Sequence, residues 1–258
     1  MTNLSPIFDS HAHYESHQFD KDRDYLLGEY LPENGVCGVI NMGSDLDACT
    51  ETIKLCEKYS YFYGAVGIHP ECARDLPADW TDRLKAMLKH DKILAVGEIG
   101  LDYHWLEDCP KDRQQEVFAA QLELAERLKL PAVIHDREAH GDMMEFLRKY
   151  KPKGVMHCFS GSVELARETI RLGLYIGLGG VVTFKNARHA AEVAADIPLE
   201  RLLLETDAPY MAPVPCRGKR NDSTLIKYVA QRIAEIRKTT PEVILKASAD
   251  NTRKLFLN

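Results

Sequence analysis

The chain has 258 residues, of which 33 are Lys or Arg and 39 are Asp or Glu, so its formal net charge is −6. Hydrophobic residues make up 45% and charged residues 28%, which excludes a disordered chain, because disorder needs low hydrophobicity together with high net charge. No apolar run reaches the roughly 18 to 20 residues of a membrane span, and the mild acidity excludes a general attraction to nucleic acid, so a polyanion would need a local basic or metal-charged site.

Short apolar runs recur along the whole chain, each followed by a turn and a longer helical stretch. Runs with little polar alternation are typical of parallel strands that are covered on both faces. The eight predicted strands are Pro6–Asp9, Val36–Asn41, Phe62–Ile68, Ile93–Glu98, Ala132–His135, Gly154–His157, Leu174–Leu178 and Leu202–Glu205.

Helix signals lie between these runs. Asp45–Tyr59 is predicted to be a helix whose N-cap is its first residue. Asp112–Lys129 carries apolar residues along roughly one face at a period of 3.6. Ser162 is a candidate cap for another helix, and Thr240 followed by a proline marks a further helix start.

Eight units of strand and helix predict an α/β protein with a closed TIM-like (β/α)₈ barrel, which occupies residues 1–258 as a single domain. The competing architecture is an open doubly wound sheet, which typically carries a Gly-rich phosphate-binding turn after an early strand. The sequence contains no such turn, and Gly177–Gly180 comes too late and lacks the spacing.

The seven cysteines and the N-terminal residues bear on location. An odd cysteine count without a C-x-x-C pair argues against a disulfide framework and a structural zinc site. Residues 1–13 have neither a basic region nor a long apolar region, so we expect no signal peptide and a cytoplasmic location. Nothing in the sequence indicates a membrane association or an obligate protein partner.

Nearly every predicted strand ends in a group that can bind metal or transfer protons. In a (β/α)₈ barrel these strand ends converge on one face, where active sites are built. Taken singly, each group has a structural explanation: a salt bridge for Glu98, hydrogen bonds in the core for His135 and His157, a turn cap for Asp207. Six such groups at the ends of five strands would be costly to bury unpaired, and metal coordination removes that cost. They are His11, His13, Glu98, His135, His157 and Asp207.

This donor set has four imidazoles and two carboxylates. Mixed nitrogen and oxygen ligation suits Zn²⁺ or Mn²⁺, whereas Mg²⁺ usually prefers more oxygen. Six ligands are too many for one tetrahedral ion but natural for two ions that share a carboxylate, and pairs of ions about 3.5–4 Å apart are a recurrent solution for phosphate ester hydrolysis. We therefore predict two divalent ions (Mg²⁺, Mn²⁺ or Zn²⁺), with Glu98 as the bridge because it lies between the two His pairs in strand order.

Strings along the whole chain resemble the TatD family of metal-dependent hydrolases, within the amidohydrolase-like barrel superfamily. The strings are Asp9–His13, Val66–Pro70, Gly97–Tyr103, Pro131–His135 with Arg137, His157–Gly161, Glu205–Tyr210 and Asn251–Phe256. One position departs from the family pattern, because Ser223 stands where the family usually has Pro.

The resemblance implies a metal-dependent deoxyribonuclease, often with 3′-to-5′ exonuclease activity on single strands, so that DNA is the expected nucleic-acid partner. By residue match, His11 and His13 would bind the first ion with Asp207. Glu98 would bridge, and His135 with His157 would bind the second ion.

The predicted reaction is hydrolysis of a phosphodiester by a metal-activated water, with Asp207 and Glu98 as the catalytic residues and Asp207 as the proton acceptor. Tyr103–Trp105 would stack on bases or only pack their loop. The candidate substrate contacts are His69, Arg137 and the two basic residues Arg217 and Lys219 of the loop after Asp207.

Other functions stay open. A metal site of this type also serves an ester or amide hydrolase, including an aminoacyl-tRNA deacylase, and a non-catalytic metal-binding scaffold is a third hypothesis. A nucleophilic pair of Cys158 with His157 is disfavoured, because neighbouring residues of a strand point to opposite faces.

Overall fold

Eight parallel strands follow one another around a single sheet in the computed structural model, which describes residues 6–258. Residues 1–5, which belong to the segment considered above for export, lie outside the described residues. The predicted barrel is confirmed, and each predicted run overlaps one strand. The strands are β1 Ile7–Ala12, β2 Val36–Met42, β3 Phe62–Val66, β4 Ile93–Asp102, β5 Ala132–Arg137, β6 Gly154–Met156, β7 Tyr175–Leu178 and β8 Leu202–Leu204.

Helices separate the strands and cover the sheet. They are α1 Arg23–Tyr25, α2 Leu31–Glu33, α3 Leu46–Lys58, α4 Trp80–Met87, α5 Lys111–Leu128, α6 His140–Tyr150, α7 Val163–Arg171, α8 Arg188–Asp196, α9 Ile226–Arg237 and α10 Pro241–Phe256, with a π-helical turn Leu26–Tyr30 between the first two. No helix in the described part of the chain combines the length and apolar character needed to cross a membrane.

Two of the predicted caps form the expected hydrogen bonds. The Asp45 carboxylate accepts a hydrogen bond from the N–H of Ala48 at 2.7 Å, and the Ser162 hydroxyl accepts one from Leu165 at 3.3 Å. Thr240 takes the N-cap position of α10, although no described N–H of that helix donates to its side chain. The starts of α3 and α7 could therefore be predicted from their capping residues.

The barrel closes between β1 and the segment that follows β8. Ala12 and Ala208 form an isolated parallel bridge. On either side of it, the N–H of His13 donates to the Ala208 carbonyl at 2.7 Å, and the N–H of Asp207 donates to the His11 carbonyl at 3.0 Å. The closure therefore brings predicted metal ligands from the two ends of the chain side by side.

One cluster of buried apolar side chains draws members from all eight strands, as the filled interior of a barrel requires. The cluster includes Phe8, Ile40, Ala65, Ala95, Val133, Val155, Tyr175 and Leu203. Because alternate residues of a strand share a face, the residue two positions after such a member also points inward. His135 and His157 stand in this relation to Val133 and Val155, which aims their imidazoles at the mouth of the barrel.

Candidate metal centre and active site

The Glu98 carboxylate lies at the centre of the polar cluster, on β4, and the residue is 3% exposed. Its Oε2 is 3.3 Å from His11 Nε2 and 3.4 Å from His13 Nε2. Its Oε1 is 2.7 Å from His157 Nε2 and 3.0 Å from His135 Nδ1. Each oxygen thus faces one of the two imidazole pairs, which is the arrangement that a bridging carboxylate needs.

Asp207 joins the Oε2 side of the cluster. Its Oδ1 is 3.6 Å from His11 Nε2 and 3.5 Å from His13 Nε2. The φ angle of Asp207 is 58°, a left-handed conformation that costs free energy for a residue other than glycine and is often found at functional sites. The structure therefore brings all six predicted ligands together, although their role as ligands stays a prediction.

His69 lies closer to the cluster than its predicted role as a substrate contact requires. Its Nε2 is 3.6 Å from Glu98 Oε1, and its ring centroid is 4.5 Å from that of His135. The N–H of Glu71 donates to its Nδ1 at 3.3 Å, which turns Nε2 towards the cluster. The donor atoms of His69, Glu98 and His135 also converge, within 4.8 Å of one another. The place of His69 at the end of the third predicted strand was the sequence signal for this position, since the other donors also lie at or just after the ends of predicted strands.

Two further carboxyl groups lie behind the imidazoles of the second pair. Asp102 Oδ2 is 3.0 Å from His135 Nε2, which leaves Nδ1 to face Glu98. Glu205 Oε1 is 3.8 Å from His157 Nδ1 and accepts the N–H of Cys158. A carboxylate hydrogen-bonded to the second ring nitrogen, as Asp102 is, fixes the tautomer and orientation of a metal-binding histidine, whereas His157 Nδ1 has no hydrogen-bond partner among the described residues. Burial raises the pKa of the Glu205 carboxyl to about 8.

The electrostatics of the cluster favour positive charge at its centre. Burial alone would raise the pKa of the Glu98 carboxyl, yet the surrounding imidazoles hold that pKa well below its ordinary value. The pKa of Asp207 is also lowered, because neighbouring imidazoles outweigh its burial. Burial alone would lower the pKa of His135, but its two carboxylate partners raise it to about 10. The two ionised carboxylates at the centre of the cluster place negative charge where a metal cation would be held.

The donor atoms fit divalent metal ions. His11 Nε2 and His13 Nε2 lie 3.1 Å apart, close enough for both nitrogens to face one cation when both are unprotonated. In one group His11, His13 and Glu98 converge, in another His11, His157 and Asp207, with ligand atoms within 4.8 Å of one another. Nitrogen and carboxylate oxygen in this mixture suit Zn²⁺ or Mn²⁺. The number of ions and their identity stay predictions.

A buried network behind the cluster ties the two ends of the chain together. Asp9 Oδ1 accepts the N–H of His11 at 3.2 Å and of Thr206 at 3.1 Å. Asp9 Oδ2 accepts the hydroxyls of Thr206 at 2.6 Å and Ser223 at 2.7 Å. The N–H of Ser223 donates to the Tyr14 hydroxyl at 2.8 Å, which a proline would be unable to do. Ser223 therefore belongs to the support of the site, and the N-cap at this point is its neighbour Asp222.

A cavity of about 900 Å³ lies over the cluster, and its two sides differ in chemistry. The segments after β1, β2 and β3, including the first half of α3, contribute the acidic side, which consists of Glu15, Asp45, Asp47, Glu51 and Glu71. Segments after β6, β7 and β8 contribute the apolar side, which includes Phe159, Leu178, Val181, Val182 and Met211. Arg137 is the single Lys or Arg among the described residues that line the cavity.

The other predicted substrate contacts lie farther out. The Arg217 guanidinium stacks 4.4 Å over the Phe184 ring, and Lys219 is exposed. Neither is among the described residues that line the cavity, so their contact with substrate stays a prediction. Of the aromatic residues after Glu98, Tyr103 donates its hydroxyl to Asp142 at 2.6 Å, which matches the loop-packing alternative.

Cys158 departs from the expected geometry. It follows the last residue of β6 by two positions and has a φ angle of 42°, so the strand alternation no longer applies. Its side chain lines the same cavity as His157. Burial nevertheless raises the pKa of the Cys158 thiol well above its ordinary value, which disfavours the thiolate that a nucleophile requires.

Comparisons with known proteins agree with this geometry. Residues 8–257 match the sequence profile of the family described as TatD related DNase. The chain is 41% identical over 253 residues to the uncharacterized metal-dependent hydrolase YabD of Bacillus subtilis, covering 97% of this chain and 98% of that protein. It is 32% identical over 258 residues to the 3′-5′ ssDNA/RNA exonuclease TatD of Citrobacter koseri, covering 97% and 98%. The crystal structure of YJJV, a TatD homolog from Escherichia coli, superposes with a TM-score of 0.91 at 32% identity, covering 98% of each chain.

Proposed function

The chain belongs to the TatD related DNase family of metal-dependent hydrolases, and from this premise we propose that it hydrolyses phosphodiester bonds of single-stranded DNA from the 3′ end. The observation that carries the proposal is the placement of Glu98 between two imidazole pairs, with Asp207 beside one of them. Relatives named 3′-5′ ssDNA/RNA exonuclease, among them those of Citrobacter koseri and Citrobacter rodentium, support this substrate.

The ions would be held by His11, His13 and Asp207 on one side and by His135 and His157 on the other, with Glu98 between them. Bound divalent ions supply two kinds of chemistry, because they acidify water and neutralise charge on phosphate oxygens. His69 is placed to assist either the second ion or the substrate.

The remaining chemistry belongs to side chains of this protein. The Asp207 carboxylate is ionised at neutral pH, since its pKa lies below the ordinary value, and it accepts the proton of the attacking water. The Arg137 guanidinium, at the end of β5, pairs with a phosphate oxygen of the bound strand. Asp102 keeps His135 in one orientation throughout.

The acidic side of the cavity favours a second candidate, the hydrolysis of aminoacyl esters such as charged tRNA. The carboxylates of Glu15, Asp45 and Glu71 would attract the α-ammonium group of an aminoacyl ester and would repel a phosphate chain. The same metal-binding donors serve both reactions, so the two candidates are separated by substrate and not by the site.

One experiment tests the proposal against this second candidate. Metal-stripped protein is reloaded with Mn²⁺ or Zn²⁺ and given a 5′-labelled single-stranded oligonucleotide and, in parallel, a charged tRNA. We expect stepwise shortening of the oligonucleotide from its 3′ end and no such product with Glu98→Gln. If the oligonucleotide stays intact while amino acid is released from the charged tRNA, the nuclease proposal is refuted and the deacylase is supported.

The basic loop has its own test in the salt dependence of strand binding. Each phosphate neutralised on a single strand contributes about 0.7 to the slope of log affinity against log salt, so contacts with Arg137, Arg217 and Lys219 give a slope of about −2. Replacing Arg217 and Lys219 together by Ala should flatten it to about −0.7. An unchanged slope would remove both residues from the substrate contacts.

A further inference from the structure

Two large apolar side chains stand exposed at the mouth of the cavity. Tyr210 is 50% exposed and Met211 is 40% exposed. Of the large apolar side chains that are exposed within residues 6–258, these two are the ones that line the cavity. Exposed apolar surface inside a functional cavity is surface that a ligand covers, because its removal from water is favourable.

The backbone beneath these side chains is tied down. The N–H of Tyr210 donates to the Asp207 carbonyl at 2.8 Å, and the side-chain amide of Asn221 donates to the Tyr210 carbonyl at 2.8 Å. The carbonyl oxygen of Met211 packs so closely against Gly180 that a Cβ there would collide with it. The two side chains are therefore presented by a held segment, which is how a preformed binding surface is built.

The surface adjoins the polar cluster directly. The Tyr210 ring centroid is 6.5 Å from that of His13, with the ring planes at 63°. Met211 Sδ lies 4.0 Å from the sulfur of Cys158, the residue after His157. A nucleotide extends over a comparable distance from phosphate to base, so one whose phosphate lies at the cluster can place its base against Tyr210 and Met211.

Charge decides what kind of group this surface takes. Five carboxylates line the cavity, and Arg137 is the single Lys or Arg among the described residues that line it, so ion pairs with Lys or Arg supply little affinity for a strand. An uncharged aromatic group of the ligand, packed on the apolar side, would gain its affinity from stacking instead. Aromatic side chains bind unpaired bases in this way without sequence preference.

We propose that Tyr210 and Met211 form a stacking platform for the unpaired terminal nucleobase, next to the scissile phosphate. The platform rests on the proposed nuclease function. It adds a preference for unpaired strand ends, because a base can lie on Tyr210 only when it has left the stack of a duplex. Tyr210 supplies the ring face, and the flexible, polarizable Met211 side chain adapts to bases of different size.

The first arm of the test compares two oligonucleotides of one sequence, one ending in a normal 3′ nucleotide and the other in an abasic residue. Metal-loaded wild type should prefer the base-bearing end in kcat/KM by about ten-fold, the effect of one base–aromatic stack. In Tyr210→Ala this ratio should fall towards one, mainly through KM, and Tyr210→Phe should keep it. Tyr25→Ala is the matched control, because Tyr25 is a similarly exposed tyrosine that is not among the residues lining the cavity.

The second arm measures equilibrium binding of thymidine 5′-monophosphate and 2-deoxyribose 5-phosphate to the same metal-loaded proteins. Tighter binding of the nucleotide by wild type, lost in Tyr210→Ala, supports the platform even if neither oligonucleotide is cleaved, a result that would refute the nuclease alone. The platform is overturned if wild type treats both ligands alike. It is also overturned if Tyr210→Ala lowers cleavage of both oligonucleotides equally, since Tyr210 would then act on the metal cluster.

Discussion

Replacing Ser223 by Ala tests how the ends of the chain support the site. Ser223 is fully buried. Its hydroxyl donates to Asp9 Oδ2 at 2.7 Å and lies 2.8 Å from the Tyr14 hydroxyl. The substitution removes both contacts and leaves the N–H of residue 223 on Tyr14 intact. Asp9 keeps its partners on His11 and Thr206 but loses one of its two hydroxyl donors.

The loss of two buried hydrogen bonds at this point should cost about 2 kcal/mol, because one acceptor is a carboxylate in a site without water access. For a chain of this size that corresponds to a fall of about 4–8 °C in the unfolding midpoint. Since Asp9 also holds the N–H of His11, we expect Mn²⁺ to bind about ten-fold more weakly, as is typical when a partner of a metal ligand is lost.

Thermal unfolding of metal-stripped protein, checked for a single cooperative transition, measures the first effect, and titration with Mn²⁺ measures the second. Ser60→Ala is the control, because it makes the same chemical change at an exposed position. A midpoint within 1–2 °C of this control, a shift below the size expected for a site of this kind, would refute the reasoning. A lower midpoint with unchanged Mn²⁺ affinity would show that the network stabilises the fold but does not influence metal binding.

Three further outcomes follow from the site and the fold. His11→Ala combined with His157→Ala should abolish bound divalent metal while the circular dichroism of the barrel persists, and full metal occupancy by elemental analysis would place the ligands elsewhere. Asp207→Asn should slow hydrolysis by about 10²-fold or more at neutral pH, and a rate near that of wild type would exclude Asp207 as the base. Gly100→Ala should prevent soluble folding, because a Cβ there collides with a carbonyl oxygen of β5, whereas Gly141→Ala, with no neighbour within 4 Å, should leave expression and midpoint unchanged or raised.

The order and number of strands could be predicted because each strand is a short apolar run between turns, a local property of the sequence. Strand ends were less accurate: β4 extends to Asp102, four residues beyond the predicted end, because Ile99–Asp102 pairs with β5. Position at a predicted strand end was also enough to bring Glu98 and His135 into one cluster, since the closed barrel converts similar positions on different strands into neighbours.

Contacts made by loops were not predictable in this way. The Asp9–Ser223 hydrogen bond joins residues 214 positions apart, and it depends on the path of the segment after β8. That segment contains left-handed residues at Asp207 and Met211, which no sequence pattern indicated. The same turns present Tyr210 at the cavity, whereas the basic residues expected there, Arg217 among them, are carried outwards.

The measurement that tests the central claim most directly is a titration of metal-stripped protein with Mn²⁺ in which bound metal and cleavage of single-stranded DNA are followed in the same samples. We expect no cleavage without metal, and a rate that rises with occupancy and levels off at two ions per chain. Full cleavage by metal-free protein, or no cleavage at saturating metal, would contradict the account.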